Sequence, residues 1–368
     1  MRVFLATGEA SGDMLAAALT ARIRELVPGA TFAGIGSERM AAEGVELTVR
    51  TTGWGNMGPL QALRTIPGLV LTFLRHLVWL LRSRFDLIVL VDFGAFNLRL
   101  AKMLRQLGYR RPILYLLPPG AWLDVPSQAR AVTRTTTPLT AFAHQRDFYR
   151  TLGLTIAYFG HPLGSLVEPR DPLPPPPAGA GVVALLPGSR RGEIARHLPV
   201  LLETCRLLRA QRPRVQFVLS AADADAEGSI RRALADAPLE GIRLVRGARA
   251  ALDGADAALI ASGTAVLEAA LREVPSVAFY IIGAASVPIA KRMYRGRYWT
   301  LPNILLEREA VPELLQDDAR PQRLADALEA LLADPAAQLD DLRAVRAKLG
   351  DPNALSRCAA FAVELAQT

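Results

Sequence analysis

Cysteine is scarce in this chain, which has only two in 368 residues. Cys205 and Cys358 lie far apart in helix-like surroundings and match no spacing of a metal site or a disulfide framework. We therefore expect both thiols to be buried core residues of a protein from a reducing compartment. The N-terminus also lacks the charged, apolar and small-residue regions of a signal peptide, which predicts a cytoplasmic location.

Aromatic residues make up only 6% of the chain, and no basic segment is interleaved with aromatics that could stack on bases. The chain is nevertheless basic, with 43 Lys and Arg against 35 Asp and Glu and a net charge of +8. This balance favours an anionic partner such as a nucleotide phosphate or a lipid head group, and argues against nucleic acid. The length of the chain and its hydrophobic content of 51% predict two folded domains.

No apolar run is long and uninterrupted enough to cross a bilayer, which takes about 20 residues. The segment most similar to a membrane-spanning run is Ile66–Leu81. It is apolar almost all round and carries only Arg75 and His76 as ionisable groups. One interpretation is a buried crossover helix. The other is an apolar patch, rimmed by arginines, that contacts an anionic membrane surface or receives acyl chains.

Proline is concentrated between Glu168 and Gly181, where the sequence reads EPRDPLPPPPAGAG. Consecutive prolines can neither join a sheet nor continue a helix, so this stretch predicts a stiff spacer. We expect an N-terminal domain at 1–167, a linker at 168–181 and a C-terminal domain at 182–368. Short apolar strands alternate with helical patterns in both halves, which is typical of parallel α/β sheets that bind ligands at the strands' carboxyl ends.

The stretch Val182–His197 reads as a buried strand, a glycine turn and the start of a helix. Such a junction directs backbone N–H groups and the positive end of a helix dipole at one spot, which suits a phosphate. Gly188 and Ser189 form the turn, and the guanidinium groups of Arg190 and Arg191 can grip phosphate oxygens in pairs. The alternative is an ordinary turn with two solvated arginines.

A second candidate position is Asp92, directly after the apolar strand at 85–91. A carboxylate at the carboxyl end of a parallel strand is placed where a general base is expected. The alternative is that Asp92 caps the helix expected at 98–107. A glycine-bracketed turn at 7–13 precedes a helix from Met14 and marks another strand end. His161 could cap a helix or contact a ligand, although a lone histidine is more often structural.

A third strand end carries Ser262, Gly263 and Thr264 before another helical pattern. Small residues at a helix start let a phosphate approach the backbone, and Glu268, one turn later, can reach a ribose diol. The alternative for Glu268 is a helix-face carboxylate without a ligand.

Together these stretches resemble the lipid-A-disaccharide synthase family of GT-B glycosyltransferases. They occur in the family's order over nearly the whole chain: GEASGD at 8–13, Asp92 with Phe96-Asn97, FGHPL at 159–163, LLPGSRRGEI at 185–194, ASGTAVLE at 261–268 and LPNIL at 301–305. The resemblance implies an α/β fold of GT-B type, with two Rossmann-like domains facing a central cleft. The C-terminal domain would hold UDP and the N-terminal domain the acceptor, with the last helix able to pack back on the N-terminal domain.

The resemblance also implies the reaction. A 2,3-diacylglucosamine unit passes from UDP-2,3-diacylglucosamine to 2,3-diacylglucosamine 1-phosphate and gives a β-1,6 disaccharide and UDP, a step of lipid A biosynthesis. The UDP-sugar is a substrate, and no cofactor or metal is implied. The enzyme would be peripheral on the cytoplasmic face of the inner membrane, with Ile66–Leu81 contacting its anionic surface. The oligomeric state stays open.

Residue by residue, Asp92 is similar to the family's essential carboxylate and becomes the candidate base. Arg190 corresponds to the diphosphate clamp, Glu268 to the ribose contact and Asn303 to a polar residue on the nucleotide side. Glu9 and Ser11 correspond to polar residues of the acceptor half. The implied nucleotide-binding set is Gly188, Ser189, Arg190, Arg191, Ser262, Gly263, Thr264, Glu268 and Asn303.

Three departures from the family pattern lie in the N-terminal half. Ala95 stands where the family has a second aspartate, and the segments Leu117–Trp122 and Ala143–Arg146 replace two family motifs. They leave three alternatives open. The chain could be a related transferase with another lipid or sugar acceptor, a sugar-nucleotide epimerase of the same architecture, or a non-catalytic protein that binds membrane surfaces.

Overall fold

The computed structural model describes residues 1–51, 59–120, 124–174, 176–177, 179–236, 241–283, 287 and 297–368. The chain divides into two compact units. The N-terminal domain comprises Met1–Leu166 together with Leu349–Thr368, and the C-terminal domain comprises Val167–Lys348. Among the described residues, no helix combines the length and the apolar character needed to cross a membrane.

The N-terminal domain is built on a parallel sheet, whose described strands have the order β3-β2-β1-β4-β5-β6-β7. Its strands are β1 (Arg2–Ala6), β2 (Thr31–Gly36), β3 (Glu46–Arg50), β4 (Leu87–Val91), β5 (Ile113–Leu116), β6 (Thr137–Thr140) and β7 (Ala157–Tyr158). Its helices up to residue 166 are α1 (Ala10–Leu26), α2 (Glu38–Ala42), α3 (Pro59–Arg82), α4 (Gly94–Gln106), α5 (Pro126–Thr135), α6 (Ala143–Thr151) and α7 (Leu163–Leu166).

The C-terminal domain is built on a second parallel sheet with the order β10-β9-β8-β11-β12-β13. Its strands are β8 (Ala180–Leu186), β9 (Arg214–Ala221), β10 (Ile242–Arg246), β11 (Ala257–Ala261), β12 (Ser276–Tyr280) and β13 (Glu313–Leu315). Its described helices are α8 (Arg191–Gln211), α9 (Ala224–Asp236), α10 (Ala248–Leu252), α11 (Thr264–Leu271), α12 (Leu301–Leu306), the 3-10 helix Gln316–Asp318, α13 (Pro321–Ala333) and α14 (Ala336–Lys348).

The central strands β4 and β11 are apolar along their whole length because helices cover both faces of each sheet. In β1, Val3 and Leu5 pack in the layer of α1, whereas Phe4 and Ala6 pack in the layer of α3 and α4. Successive strand residues point to opposite faces, so one short run supplies both cores. Two parallel α/β domains of Rossmann-like order confirm the predicted fold class.

The last helix, α15 (Ala354–Ala366), belongs to the N-terminal domain. Its apolar face packs beside α1 in the same core layer. This layer includes Cys358, and Cys205 lies in the core of the C-terminal domain, so both cysteines are buried as predicted. Burial raises the pKa of the Cys358 thiol to about 12, which keeps it protonated and inert.

Some elements begin earlier than the sequence predicts. The helix expected from Met14 starts at Ala10, because Gly12 is not part of a turn but a point of close approach, where a Cβ would clash with the Thr7 hydroxyl. The helix expected at 98–107 starts at Gly94. Strand β8 takes in the last two residues of the expected spacer and starts at Ala180.

Candidate active site

The carboxyl ends of β1 and β4 lie side by side at the centre of the N-terminal sheet. The strand order reverses direction between them, and parallel α/β sheets bind ligands outside the strand ends at such a switch point. Residues 7–9 follow β1, while Asp92 and Phe93 follow β4. The two segments meet, since a Cβ on Gly8 would lie 2.5 Å from Cγ of Phe93. The structure therefore brings the predicted residues Glu9 and Asp92 to one edge of the sheet.

Asp92 has a strained backbone. Its φ is 48° and that of Phe93 is 49°, so two consecutive residues with side chains occupy the left-handed region. Each such residue costs about 1–3 kcal/mol, and strain of this kind concentrates at functional sites. Phe93 is the N-cap residue of α4, and Asp92 lies one residue before it.

Two buried side chains hold the Asp92 peptide. The Nδ2 of Asn97 donates to the Asp92 carbonyl at 2.8 Å, and the Tyr115 hydroxyl donates to the same oxygen at 3.0 Å. Asn97 also donates to the carbonyls of Ala6 and Val91, both at 3.2 Å, which ties the end of β1 to the end of β4. Burial raises the pKa of Tyr115, so its hydroxyl stays protonated and remains a donor. The strained turn is thus fixed by hydrogen bonds to its own backbone.

The predicted acceptor-half residues open α1. Glu9 is the N-cap residue and Ser11 lies in the first turn, both half-buried. Asp13 of the same motif is buried and has a structural role. Its carboxylate accepts the Ser37 backbone N–H at 2.6 Å and the Ser37 hydroxyl at 2.8 Å, which fixes the start of α2.

A row of aromatic rings leads from the Asp92 turn to α3. Phe93 stacks on Phe96 with ring centroids 5.6 Å apart, and Phe96 meets Phe73 of α3 edge-on at 5.3 Å. Helix α3 also has an exposed apolar stripe, which consists of Val70, Leu71, Leu74 and Val78, each 43–50% exposed. Its opposite face is buried through His76, Leu77 and Leu80. Of the predicted patch at 66–81, the side chains of 66, 67 and 69 lie outside the described residues.

The two altered segments at 117–122 and 143–146 meet in the structure. Gln145 is fully buried, accepts the Thr140 hydroxyl at 2.5 Å and donates to the Pro118 carbonyl at 3.3 Å. Residues 121–123 and the side chain of Ala95 lie outside the described part of the chain. His161 has a structural role nearby, since its Nδ1 accepts the Leu163 N–H at 3.1 Å. Burial lowers the pKa of His161 to about 4, so its imidazole is neutral at pH 7.

The C-terminal domain places the ends of β8 and β11 side by side at its own switch point. Pro187–Arg190 follow β8 and lead into α8, while Ser262 and Gly263 follow β11 and lead into α11. The predicted phosphate turn and the predicted small-residue turn therefore lie at the same edge of this sheet. Gly188 has a φ of +106°, which favours glycine.

The charged residues of the β8 turn bind carboxylates of their own domain. Arg190 Nη1 lies 3.1 Å from Oε1 of Glu193, and Arg191 Nη2 lies 3.2 Å from Oδ2 of Asp225. The Arg190 and Arg191 side chains are 40% and 51% exposed and are accessible to an anion. Both arginines are thus paired within the domain and still partly solvated, so the phosphate site and the ordinary turn both stay predictions.

The remaining predicted residues lie on α11 and α12. Glu268 is half-buried on α11, one turn after Thr264. Asn303 on α12 is fully buried, where its Nδ2 donates to Glu313 at 2.8 Å and its Oδ1 accepts the Val311 N–H at 2.8 Å. These bonds anchor α12 within its domain, and a contact of Asn303 with a nucleotide stays a prediction.

Sequence comparison identifies the family. The profile of lipid-A-disaccharide synthetase matches residues 3–360. The lipid-A-disaccharide synthase of Myxococcus xanthus is 35% identical over 375 residues, which cover 99% of this chain and 97% of that protein. The lipid-A-disaccharide synthase of Aromatoleum aromaticum is 38% identical over 350 residues, 90% of this chain and 87% of that protein. The chain belongs to the lipid-A-disaccharide synthase family.

Solved structures support the fold of this family member at much lower identity. UDP-GlcNAc 2-epimerase from Neisseria meningitidis, bound to UDP-GlcNAc, matches with a TM-score of 0.67 at 10% identity over 99% of this chain and 100% of that chain. A spinosyn rhamnosyltransferase in complex with thymidine diphosphate matches with a TM-score of 0.59 at 15% identity over 97% and 99%. Epimerases and glycosyltransferases share this architecture, so these matches show the fold alone.

The sequence did not reveal the residues that form hydrogen bonds with the turns of the synthase-family motifs. Asn97 belongs to the Phe96-Asn97 motif. Its three hydrogen bonds to carbonyls at the ends of β1 and β4 could not be predicted from the sequence, which shows only that it follows β4. Tyr115 had no signal at all. In the C-terminal domain the missed residues are Glu193, His197 and Tyr280, which contact the β8 turn or each other. Glu193 does have a signal in the sequence, as the acidic residue in the first turn of α8, but its contact with Tyr280 has none.

Proposed function

We propose that this protein is a lipid-A-disaccharide synthase that joins 2,3-diacylglucosamine, carried by UDP, to 2,3-diacylglucosamine 1-phosphate. The products are the β-1,6-linked disaccharide 1-phosphate and UDP. The chain is a member of this family. The observation that carries the proposal is that its Asp92 carboxylate lies in a strained turn at the switch point of one sheet. The glycine and arginine turn at the switch point of the other sheet supports it.

Asp92 acts as the general base. It takes the proton of the acceptor hydroxyl as that oxygen attacks the anomeric carbon of the donor sugar. The new C–O bond forms while the bond from the anomeric carbon to the diphosphate breaks, and its electron pair leaves with UDP. Attack opposite the leaving group inverts the anomeric centre. The fixed backbone of Asp92 suits this role because proton transfer depends on exact placement of the base.

The departing UDP carries negative charge, which the C-terminal domain stabilises. Arg190 binds the diphosphate as a clamp, assisted by Arg191 and by the backbone N–H groups of 188–191 at the start of α8. Ser262, Gly263 and Thr264 offer a second set of backbone N–H groups, and Glu268 binds the ribose diol. Asn303 supports the nucleotide side from the interior of the domain by anchoring α12, and no metal ion or cofactor is required by this scheme.

The acceptor is a lipid, and the N-terminal domain handles it. Glu9 and Ser11 contact its sugar, and the exposed stripe of α3 contacts the anionic surface of the inner membrane from the cytoplasmic side. Four apolar side chains on one helix face are costly to leave in water and gain free energy on entering a lipid interface. The arginines at the end of α3, Arg82 and Arg84, favour anionic head groups.

The proposal is tested by UDP release from purified protein supplied with UDP-2,3-diacylglucosamine, with and without 2,3-diacylglucosamine 1-phosphate. We expect acceptor-dependent release and a tetraacyl disaccharide 1-phosphate in the mass spectrum. UDP-sugar binding without this product would contradict the acceptor assignment. It would favour a related transferase with another acceptor. This would agree with the two segments that depart from the family pattern, 117–122 and 143–146, which contact each other through Pro118 and Gln145. Release of free sugar or of an epimer would favour an epimerase.

A further inference from the structure

A buried carboxylate lies directly beneath the β8 turn. A Cβ on Gly188 would be 2.6 Å from Oε2 of Glu193, so only glycine lets the turn rest on this group. The Glu193 side chain is 10% exposed. Burying a carboxylate without partners is strongly unfavourable, so the groups that satisfy it are fixed with it.

Glu193 has two strong partners. Oε1 accepts a hydrogen bond from Arg190 Nη1 at 3.1 Å and another from the Tyr280 hydroxyl at 2.7 Å. Burial, with the bond to Glu193, raises the pKa of Tyr280 to about 12, so the hydroxyl is a donor at neutral pH. Tyr280 ends β12, which lies on the far side of β11 from β8. The carboxylate therefore links the β8 turn to the end of β12.

A second tie lies one turn further along α8. His197 Nδ1 is 2.7 Å from the Pro187 carbonyl, and the Ile281 N–H donates to His197 Nε2 at 3.1 Å. Because Nε2 accepts, the proton is on Nδ1, which donates to Pro187. Burial is the main cause that lowers the pKa of His197, and the neutral ring keeps this tautomer. Two side chains thus tie the base of the turn, and one of them, Glu193, also bonds the Arg190 guanidinium.

We infer that Glu193 is a positioning residue for the donor, which acts through Arg190 by holding its guanidinium in the orientation that grips the diphosphate of UDP. This inference rests on the proposed function. A long arginine side chain loses rotamer freedom when it binds an anion, and a residue that fixes it beforehand lowers that cost. The negative charge of Glu193 by itself opposes an anionic ligand, so positioning and repulsion predict opposite signs for its removal.

The test is a double-mutant cycle read as the Kd for UDP, measured by titration calorimetry on the full chain. Glu193→Gln should weaken UDP binding by about tenfold, within the range of coupling between contacting residues. In the Arg190→Ala background the same change should alter the Kd by less than about twofold, because the residue it positions is absent. A purely structural role of Glu193 would give the same loss in both backgrounds and would overturn the inference.

The matched control is Glu203→Gln on the same helix, which breaks an exposed pair with Arg206 of the same spacing and should leave the Kd unchanged. If Glu193→Gln fails to fold, Tyr280→Phe removes one hydroxyl, and we expect a loss of UDP affinity of about threefold that vanishes in the Arg190→Ala background. Tighter UDP binding in Glu193→Gln would show that repulsion dominates and would also overturn the inference. An unchanged Kd in Arg190→Ala alone would instead contradict the proposed diphosphate clamp.

Discussion

The turns after β4 and β8 occupy equivalent switch points in the two sheets but are built in opposite ways. After β4, Asp92 and Phe93 adopt left-handed backbone conformations that cost energy, and Asn97 and Tyr115 hold the strained peptide by its carbonyl. After β8, Gly188 adopts a positive φ without that cost, and a carboxylate supports the turn from beneath. One turn is strained and tied through its backbone carbonyl, whereas the other is a glycine turn that rests on a carboxylate.

This contrast matches the two tasks in the proposed reaction. A general base must be held in one position relative to the hydroxyl that it deprotonates, so a strained and tightly tied backbone is useful. A diphosphate is bound by many N–H groups around it, so the turn must bring the backbone close to the ligand.

Asp92→Asn should lower the turnover rate by about 10²- to 10⁴-fold, the usual contribution of a general base. The side chain keeps its size, and the backbone bonds from Asn97 and Tyr115 do not involve it, so the Kd for UDP should not change. Acceptor-dependent UDP release and calorimetry measure the two quantities. Glu25→Gln, which removes one exposed charge from the same domain, is the control. Full activity of Asp92→Asn with the correct acceptor would contradict the assignment of the base.

Only the N-terminal domain is proposed to meet lipid, and the exposed stripe of α3 offers the test. The double variant Leu71→Asp with Leu74→Asp should lower binding to anionic phospholipid vesicles by about tenfold to a hundredfold. It removes two apolar contacts and adds two negative charges. UDP affinity should stay the same, because the stripe and the β8 turn belong to different domains.

The control for the stripe is Leu107→Asp, which alters a leucine of the same domain that is 56% exposed but lies outside α3. Vesicle flotation of the three proteins at low and high salt separates apolar from electrostatic contributions. Equal loss in the control and in the double variant would mean that general surface charge, not the stripe, governs binding.

Gly188→Ala should destabilise the C-terminal domain by about 2–4 kcal/mol, because the residue has a positive φ and its Cβ would also clash with Glu193. Gly247→Ala is a matched control. Gly247 has a φ of +89° in the same domain, but its Cβ would meet no described atom within 4 Å. It should lose only the conformational part, about 1–2 kcal/mol. Urea unfolding measures the free energy of unfolding of both variants. Equal losses of stability would show that the Glu193 carboxylate moves aside for the added methyl group.

The sequence predicts the positions of these turns far better than their construction. Apolar strand runs and glycine turns are local signals, so the central strands β1, β4, β8 and β11 and the turns at 92 and 188 can be placed from the sequence. The bonds that stabilise the turns join residues distant in sequence, such as Tyr115 with Asp92 and Tyr280 with Glu193. The sequence predicts the starts of α1 and α4 too late because Gly12 and Gly94 are typical of turns, although each lies at the start of a helix here.

Tyr115→Phe should have the smallest effect, a three- to tenfold decrease in turnover, since one neutral hydrogen bond to the Asp92 carbonyl is lost and Asn97 keeps the other. The shape of the pH–rate profile should not change, because burial raises the pKa of the Tyr115 hydroxyl and it does not titrate where the enzyme works. UDP affinity should not change either.

Tyr149→Phe distinguishes this bond from a general effect of removing a buried hydroxyl. Tyr149 is buried in the same domain, and its hydroxyl has no hydrogen-bond partner among the described residues. Turnover should therefore be unaffected in Tyr149→Phe and lowered only in Tyr115→Phe. If both variants keep full turnover, Asn97 alone suffices to hold the strained peptide. The turn after β4 would then depend on one side chain, whereas the turn after β8 contacts both Glu193 and His197.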